Sequence, residues 1–537
     1  MGDGLHILAR PAGARVLADD AVDRRAAWID TGWVGSAAIA ALVLGATNLG
    51  GPSLWHDELV HVNVAQSIAE TGRAALPSGE PYFNGTVFHL MLAVAVQFFG
   101  IGEAAVRAPS VVFSAVNVVL TFWVLRPLVG RNAAIVAAIG MALSPWSVAW
   151  ARQARFYTLH QTLYLLHIGA FWRLVEARTP RAAILPAIGA TIAFLLGVLT
   201  SYHAMIFLAA PGVYAVGCAF ASRRWNSRWV WTVVGIGLAG IAGIALMQVL
   251  MNTVDRKTVI DNGGLGGAIA FAERQHRWYY FDWLRLNLGT GFFLLAIAGS
   301  VALAWRERAR GVYAALGFWA PMFVLTFLIG YRWPRFMFFA YPFYVAVWAY
   351  GLTALCAWLL QPKPGWARKL AAAGAAVFLL RLGWSAVRLG GDSVEAASGA
   401  YTTLATQHPD WRGPCAWVKA RALLDGAAII TTSYLPVKYY AGRADEWYPS
   451  RAVPWEKVES GLPGLEGVTE LQACVTAHPR GYFLAEWWRF ERNYKGAPWA
   501  DFSEDIAWVQ THMRKIEEAS SGDVTVYAWG EDGDGDR

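Results

Sequence analysis

The chain has 537 residues, of which 56% are hydrophobic and only 15% are charged, with a net charge of +7. Soluble proteins normally carry about 25% charged residues, so this deficit indicates that lipid is the main solvent of the chain. The positive charge does not indicate nucleic-acid binding, because the basic residues lie in short loops between apolar segments, the pattern that sets membrane topology.

Apolar segments long enough to form membrane helices recur from residue 31 onward. Residues 1–30 are polar and show no cleavable signal peptide, so we expect them in the cytoplasm, followed by an uncleaved first span. The candidate spans are 31–50, 86–100, 109–125, 133–150, 156–172, 183–200, 203–221, 229–250, 290–305, 312–330, 336–360 and 370–389. Residues 86–100 are short for a span and long enough for a helix lying at the interface.

The basic residues decide between eleven and twelve crossings. If residues 86–100 do not cross, every basic loop faces the cytoplasm, and if they do cross, every basic loop faces outside, against the positive-inside rule. These loops contain Arg126, Arg131, Arg173, Arg178, Arg181, Arg223, Arg224, Arg228, Arg306, Arg308, Arg310, Lys363, Arg368 and Lys369. The sequence therefore predicts a polytopic α-helical membrane protein with about eleven transmembrane helices within residues 31–389.

This topology predicts two long outer loops, residues 51–108 and 251–289, and a soluble C-terminal α/β domain, residues 390–537, on the same outer side. In that domain, apolar runs at 427–433, 481–486 and 524–529 predict strands, and helical spacing covers 501–518. Cys415 and Cys474 both fall within it, and they are able to form a disulfide if the compartment is oxidising.

An acidic pair, Asp57 and Glu58, follows the first span by only a few residues. Acidic groups are costly to place at a lipid boundary. One interpretation is a solvated helix start, since acids stabilise the first turn of a helix. The other is that Asp57 is a general base, and that Glu58 orients it or binds a cation.

Arginines recur at the outer ends of predicted spans. Arg152 and Arg155 lie just before Tyr157 and the fourth span, and Arg332 and Arg335 lie just before the tenth. Basic residues in short loops are usually on the inner side, so arginines on the outer side require an explanation. Phosphate binding would provide one, because a guanidinium binds phosphate with two hydrogen bonds. The alternative is that they are interfacial arginines extending toward the headgroups.

Two further places on the outer side offer weaker candidates. His203 lies in a tight turn between spans, where it is suited either to bind a phosphate or sugar hydroxyl or to cap the neighbouring helix. The loop 251–289 carries Lys257, Glu273, His276 and Tyr279, which suit a lid or an acceptor-binding element. No nucleotide-binding motif is present, since the glycines of this loop follow no strand.

Several of these motifs resemble the GT-C glycosyltransferases, in the branch of the protein O-mannosyltransferases and the lipid A aminoarabinose transferase. The resemblance covers roughly residues 30–350. It rests on the acidic pair after the first span and on the motifs at 99–103, 107–110, 144–145, 152–157, 202–203 and 334–336.

The resemblance implies an inverting transfer of a sugar from a polyprenyl-phosphate donor to an acceptor hydroxyl on the outer face. Asp57 would match the catalytic acid of the first loop, with Glu58 beside it, and Arg107 would match an arginine near the end of that loop. Several relatives have a further acid in the second outer loop, whereas residues 155–161 of this chain contain none. A metal site built from both loops is therefore in doubt, and metal dependence stays open.

The leading hypothesis is thus a glycosyltransferase of the bacterial inner membrane that requires no cofactor, with a divalent metal as an open addition. Its partners would be the lipid-linked donor, a lipid, glycan or protein acceptor, and membrane lipids, with no nucleic acid. The alternatives are a flippase or transporter for the lipid-linked sugar, or a non-catalytic subunit of envelope assembly. Transporters tend to place ionisable groups at mid-membrane and to show two related halves, and neither feature is visible in this sequence.

Overall fold

The structure, a computed structural model, describes residues 12–222, 228–252, 276–329, 332–361, 365–398, 409–450, 455–487 and 502–530. The part before residue 399 is built from helices. They are α1 (Ala12–Ala46), α2 (His56–Thr71), α3 (Thr86–Phe99), α4 (Glu103–Val129), α5 (Arg131–Ala142), α6 (Pro145–Ala151), α7 (Tyr157–Glu176), α8 (Pro180–Thr200), α9 (Ala209–Ser222), α10 (Arg228–Asn252), α11 (Tyr279–Asn287), α12 (Thr290–Phe327), α13 (Tyr341–Leu359) and α14 (Trp366–Ser398). Two 3-10 helices, Tyr202–Leu208 and Pro334–Ala340, lead directly into α9 and α13.

Eight of the described helices are long and apolar enough to cross a membrane, or nine if α5 and α6, which meet at 54°, form one broken span. This count differs from the predicted eleven for two reasons. Helix α12 is kinked at Arg308, where φ is +49°, so that it covers two predicted spans. Helix α7, which covers another, is largely buried and carries several polar residues. Each of the eleven predicted segments thus coincides with a helix or with half of α12, although the number of crossings is not fixed by the helices alone.

The segment predicted to lie at the interface forms the short apolar helix α3. Its outer face carries large apolar side chains that are exposed, such as Leu90 (53% exposed) and Phe98 (75% exposed). The opposite face is buried and includes Phe88 and His89. A helix with one exposed apolar face is suited to contact with lipid.

Residues predicted on the inner side lie together at one end of the helices. Asp30, which is 3% exposed, pairs with Arg131 at 2.6 Å and with Arg126 at 3.6 Å. Burial of a carboxylate is tolerated because these two guanidinium groups compensate its charge. The pairs join the beginning of the first span to the loop between α4 and α5.

The C-terminal segment contains a small mixed sheet with flanking helices. Its elements are α15 (Arg412–Asp425), β1 (Ala428–Thr431), α16 (Tyr434–Ala441), β2 (Glu446–Trp447), α17 (Trp455–Ser460), α18 (Val468–Ala477), β3 (Gly481–Ala485), α19 (Ser503–His512), β4 (Arg514–Lys515) and β5 (Thr525–Trp529), with a 3-10 turn at Glu517–Ala519. The strand order is β2-β1-β3-β5-β4. β1 pairs in parallel with β2 and β3, whereas β5 is antiparallel to β3 and β4.

Strands form at the three predicted places, and the register pairs Ile429 with Tyr482 and Tyr482 with Ala528. β1 and β3 are buried along their whole length, which explains their continuous apolar sequences. The disulfide suggested by the sequence is absent, since Cys415 and Cys474 are both free thiols.

The C-terminal segment packs directly on the first long loop. The hydroxyl of Ser53 donates to Asp410 at 3.0 Å, and the Leu54 N–H donates to the hydroxyl of Tyr440 at 2.7 Å. Arg412 forms an ion pair with Glu103 at the start of α4. The backbone just before Asp57 is therefore held by residues more than 350 positions away.

Candidate active site

Asp57 and Glu58 both lie in the first turn of α2. Their side chains have different surroundings, because Glu58 takes part in the cap of the helix. The Glu58 carboxylate turns back and accepts the N–H of the cap residue Trp55 at 3.3 Å. Such a capping contact fixes the first turn and satisfies one of its unpaired donors. Glu58 is consequently fully buried, while the Asp57 side chain is 28% exposed.

Asp57 lies between two arginines that come from distant parts of the chain. Its Oδ2 forms an ion pair with Nη1 of Arg155 and accepts a hydrogen bond from Nη1 of Arg335 at 3.2 Å. No donor among the described residues reaches Oδ1. The carboxylate thus presents one oxygen to the arginines and keeps the other for a different partner.

The charges at this site compensate one another. Burial alone would raise the pKa of Asp57, but Arg155 and Arg335 outweigh it and lower the pKa to about 2. The Arg155 guanidinium loses solvation on burial, yet the carboxylate beside it raises its pKa above the usual value. Both groups are therefore ionised at neutral pH.

Aromatic rings surround both guanidinium groups. Arg155 lies 5.6 Å from the Trp55 ring and 5.3 Å from the Tyr157 ring, and it donates to the Tyr157 hydroxyl at 3.1 Å. Arg335 lies 5.2 Å from the ring of Trp333. Such rings attract a cation through their electron-rich faces and fix its orientation without neutralising it. Tyr157, one of the predicted site residues, therefore lies beside Arg155.

Two of the weaker candidates approach the same site. His203 stacks on Phe336, the residue after Arg335, with ring centroids 4.2 Å apart. Tyr279 is half-buried, and burial raises its pKa to about 12, with Arg335 acting in the opposite direction. Both residues therefore lie near Arg335, whose charge acts on each of them.

Glu58 and Arg107 form a separate, sealed ion pair. Nε and Nη2 of Arg107 donate to the two carboxylate oxygens of Glu58, each at 2.8 Å, and Ala154 N–H donates to Oε1 at 2.8 Å. The side chains of Glu58 and Arg107 are 0% and 1% exposed. The prediction that Glu58 orients Asp57 or binds a cation therefore does not match the structure, since Glu58 is occupied by protein donors.

The other N–H groups of Arg107 also have protein partners. They donate to the carbonyl oxygens of Leu49, Pro52 and Ser53 at 2.8–3.0 Å. A guanidinium has five N–H donors, and all five are used here. Arg107 thus fixes the loop that connects α1 to α2, and the phosphate contact predicted for it is not available in this arrangement.

Arg152 lies only three residues before Arg155, but it donates to backbone carbonyl oxygens and does not contact Asp57 in the way that Arg155 does. It donates to the carbonyl oxygens of Gly45 and Asn48 at 3.1 and 3.0 Å, and also to that of Thr47. These carbonyls end α1 and have no partner within the helix, so a cation is stabilising there. Arg152 therefore caps α1 with three of its five N–H groups, and phosphate binding by this residue stays a prediction.

The remaining predicted residues are not brought to Asp57. Arg332 donates to the carbonyl oxygen of Thr326 at 3.1 Å. His276 is largely exposed and faces Asp282 at 3.6 Å. Lys257 and Glu273 lie outside the described residues. In the described part of loop 251–289, Tyr279 and its neighbour Tyr280 come near the arginines.

The sequence interpretation missed a buried histidine pair beside this site. Nδ1 of His61 and Nε2 of His89 are 2.6 Å apart, so one of them donates to the other. Burial, aided by the charge of Arg155, lowers the pKa of His89 to about 3 and that of His61 well below its usual value, which keeps the pair neutral. His61 stands one turn after Asp57, and this spacing was the only available signal.

A second missed group joins the site to the C-terminal segment. His56, the residue before Asp57, lies 2.8 Å from Glu459 and 3.8 Å from Glu456, both in α17. No pattern in the sequence pairs residues 400 positions apart.

Within the described ranges, no group of three or more His, Cys, Asp or Glu side chains is placed to hold a metal ion. The positive charge near Asp57 comes from Arg155 and Arg335.

This arrangement is suited to bind an anion. Two guanidinium groups from different elements converge on one carboxylate oxygen, and aromatic rings limit their movement. A phosphate group offers more charge and more acceptor oxygens than a carboxylate, so it is able to take over these donors. Asp57 would then be released beside the bound phosphate with its charge intact.

Comparison with known proteins supports this reading of the fold. The family model described as dolichyl-phosphate-mannose-protein mannosyltransferase matches residues 84–246. A search of proteins of curated function finds no match to the chain. Among solved structures, ArnT from Cupriavidus metallidurans bound to undecaprenyl phosphate aligns with a TM-score of 0.62 at 13% identity, covering 93% of this chain and 98% of that one.

Two further structures align over similar lengths. Apo ArnT from the same organism gives a TM-score of 0.59 at 14% identity, covering 94% of this chain and 98% of that one. The Archaeoglobus fulgidus oligosaccharyltransferase tethered to an acceptor peptide gives 0.56 at 12% identity, covering 94% of this chain and 75% of that one. These proteins are GT-C glycosyltransferases. The chain therefore has the GT-C fold of multi-pass membrane glycosyltransferases, as its motifs predicted.

Proposed function

We propose that this protein is an inverting glycosyltransferase that moves a sugar from a polyprenyl-phosphate donor to an acceptor hydroxyl on the outer face of the membrane. The observation that carries the proposal is the pairing of Asp57 with Arg155 and Arg335. A base and two phosphate-binding groups are the parts that such a transfer requires. They are assembled here from three separate segments of the chain.

In the resting arrangement the arginines hold the Asp57 carboxylate. The donor phosphate, a diester with one negative charge, displaces the carboxylate because its two free oxygens are able to accept from one guanidinium each. Arg155 and Arg335 then stabilise the negative charge that grows on the phosphate as the bond to the sugar breaks. Since Tyr157 and Trp333 fix the guanidinium planes, little reorganisation is needed during the reaction.

The displaced carboxylate removes the acceptor proton. The acceptor oxygen attacks the anomeric carbon from the face opposite the phosphate, and the carbon–phosphate oxygen bond breaks as the new bond forms. The proton passes to Asp57, and the polyprenyl phosphate leaves with the bonding electrons. Because the arginines are what lower the pKa of Asp57, the displaced carboxylate is a stronger base than in the resting arrangement, and the attacking hydroxyl becomes acidic as the anomeric carbon becomes cationic.

The nature of the donor and acceptor follows from chemistry shared with the structural relatives. ArnT was solved with undecaprenyl phosphate and the archaeal oligosaccharyltransferase with an acceptor peptide, so proteins of this fold bind a lipid phosphate in one case and a peptide acceptor in another. We therefore propose a lipid-phosphate sugar as donor and a lipid, glycan or protein as acceptor. The protein would reside in the bacterial inner membrane, with residues 1–30 in the cytoplasm and the C-terminal segment outside.

The test is sugar transfer by the purified protein from a panel of radiolabelled polyprenyl-phosphate sugars, offered with lipid, glycan and peptide acceptors. We expect transfer by the wild type and a loss of about 100- to 10,000-fold in Asp57→Asn, the range for removal of a general base. Glu70→Gln, which removes an exposed acid from the same helix, is the matched control and should keep full activity. Equal activity of Asp57→Asn and the control would refute the catalytic assignment.

A further inference from the structure

The helix α17 of the C-terminal segment presents two carboxylates to the residue before the proposed base. Nε2 of His56 lies 2.8 Å from Oε2 of Glu459, and Nδ1 lies 3.8 Å from Oε1 of Glu456. The three side chains are 9%, 13% and 0% exposed, respectively. The imidazole is thus enclosed between two acids supplied by a segment 400 residues away.

The Glu456 carboxylate and the backbone of α17 are themselves held in place. Oε2 of Glu456 accepts the N–H of Tyr434 at 2.9 Å, and the hydroxyl of Ser433 lies 3.4 Å from Nδ1 of His56. Ser78 of the first loop bonds to α17 as well, since its N–H donates to the Glu459 carbonyl at 3.2 Å. The ionic group is therefore built on backbone contacts that fix both α17 and the loop.

Several acidic groups lie beside His56. Among the described residues, Glu456 and Glu459 from α17 face its ring, and Asp57 follows it in the chain. Two carboxylates this close compensate a buried imidazolium. Both ring nitrogens already face these partners, so the ring has no nitrogen left to meet a substrate.

We propose that His56 is a positioning residue, clamped by Glu456 and Glu459, through which the C-terminal segment fixes the orientation of Asp57. The inference rests on the proposed function, since Asp57 is taken there as the base. It assigns the C-terminal segment a part in catalysis. Glu58 and Arg107 hold the first turn of α2 from the side of the helices, and the His56 clamp holds it from the opposite side.

Such positioning matters because proton transfer depends steeply on geometry. A displacement of about 1 Å in a reacting group is able to cost about a hundredfold in rate. Asp57 exchanges its partners during the proposed cycle, whereas His56 does not. The clamp therefore keeps the backbone at residue 57 fixed while the side chain leaves the arginines and turns to the acceptor.

The experiment compares His56→Gln, Glu459→Gln and the double variant in the full-length protein. We expect kcat to fall by about ten- to a hundredfold in each, with the KM for the polyprenyl-phosphate donor within about twofold of wild type, because Arg155 and Arg335 are untouched. The double variant should be no worse than the poorer single variant. His56→Lys, which retains a cation between the carboxylates, should recover part of the lost kcat.

Glu517→Gln removes a 76% exposed acid from the same segment and is the control. The inference is overturned if Glu459→Gln and His56→Gln match this control in kcat, or if their kcat returns to that of the wild type once it is calculated per folded protein. Thermal unfolding provides a readout independent of activity. The midpoint losses of the single variants should be non-additive if the clamp exists. An inactive wild type would instead overturn the proposed function, and additive midpoint losses would refute the clamp itself.

Discussion

Arg107 and Arg155 both pair with one member of the acidic dipeptide at 57–58, yet their surroundings differ. Arg107 donates all five of its N–H groups to Glu58 and to three backbone carbonyls. Arg155 contacts Asp57 and the Tyr157 hydroxyl, and its buried Nε has no hydrogen-bond partner. The first ion pair is closed and the second is open to exchange.

This difference shows that Asp57 and Glu58 have different roles, although they are adjacent and chemically similar. Glu58 is occupied by the fold and cannot bind a ligand without unfolding the loop between α1 and α2. Asp57 is 28% exposed and shares only one oxygen with its arginines. Satisfied donors therefore mark the scaffold of this site, and incompletely satisfied donors mark its chemistry.

The largest effect is expected from opening the closed pair with Arg107→Gln. Removal of one partner leaves the Glu58 carboxylate buried without compensation, which costs about 3–5 kcal/mol. Folded yield and the thermal midpoint should both fall sharply. The matched change, Arg155→Gln, leaves Asp57 with Arg335 and should cost about 1 kcal/mol or less. Similar midpoints for the two variants would contradict the distinction.

The open pair should respond in activity. In Arg155→Lys and Arg335→Lys the charge stays but the planar set of donors is lost, so kcat/KM for the donor should fall by about ten- to a hundredfold. The thermal midpoint should stay close to wild type. Arg332→Lys is the control, because Arg332 bonds to a backbone carbonyl away from Asp57. An equal loss of kcat/KM in this control would show that Arg155 and Arg335 have no role in activity that Arg332 lacks.

Acid should weaken the open pair at a defined pH. The pKa of Asp57 is lowered from 3.8 to about 2, so its stabilising contribution is present above pH 4 and is lost as the pH falls through 2. The contribution is about 2 kcal/mol. The difference in unfolding free energy between wild type and Asp57→Asn, measured from pH 5 to pH 2, should shrink by this amount. A constant difference would show that the ion pair does not form in solution.

The smallest effect concerns competition for the arginines. Because Asp57 and the donor phosphate use the same N–H groups, Asp57→Asn should bind undecaprenyl phosphate about tenfold more tightly, as one competing charge is removed. Binding to the protein in nanodiscs, monitored by tryptophan fluorescence, measures this change. Weaker binding by Asp57→Asn would argue that Asp57 assists phosphate binding and does not exclude it.

Much of the fold was predictable because it depends on local pattern. Apolar length gives each membrane helix, and continuous apolar runs give the buried strands β1 and β3. The break at Arg308 falls in the gap between two predicted spans, so the sequence also indicated where α12 is interrupted. Asp57 was identified from its position after the first span, which is also a local property.

The roles of individual arginines were not predictable, because they depend on partners far apart in the chain. Arg107 and Arg152 meet backbone carbonyls near the end of α1, and sequence spacing carries no record of such contacts. The arginine clusters in the sequence therefore indicated a basic face. They did not show which arginines contact Asp57 and which contact backbone carbonyls. The same reason applies to His56, whose partners lie about 400 residues away.

Helix α3 links the surface of the molecule to the reaction centre. One face exposes Leu90 and Phe98, and the other places His89 against His61, one turn after Asp57. A face of that composition is covered by acyl chains in a membrane. Pressure from thicker or more ordered bilayers would reach α2 through the buried face of α3, whose Phe88 and His89 both contact His61. Turnover would then depend on lipid composition even when both substrates are saturating.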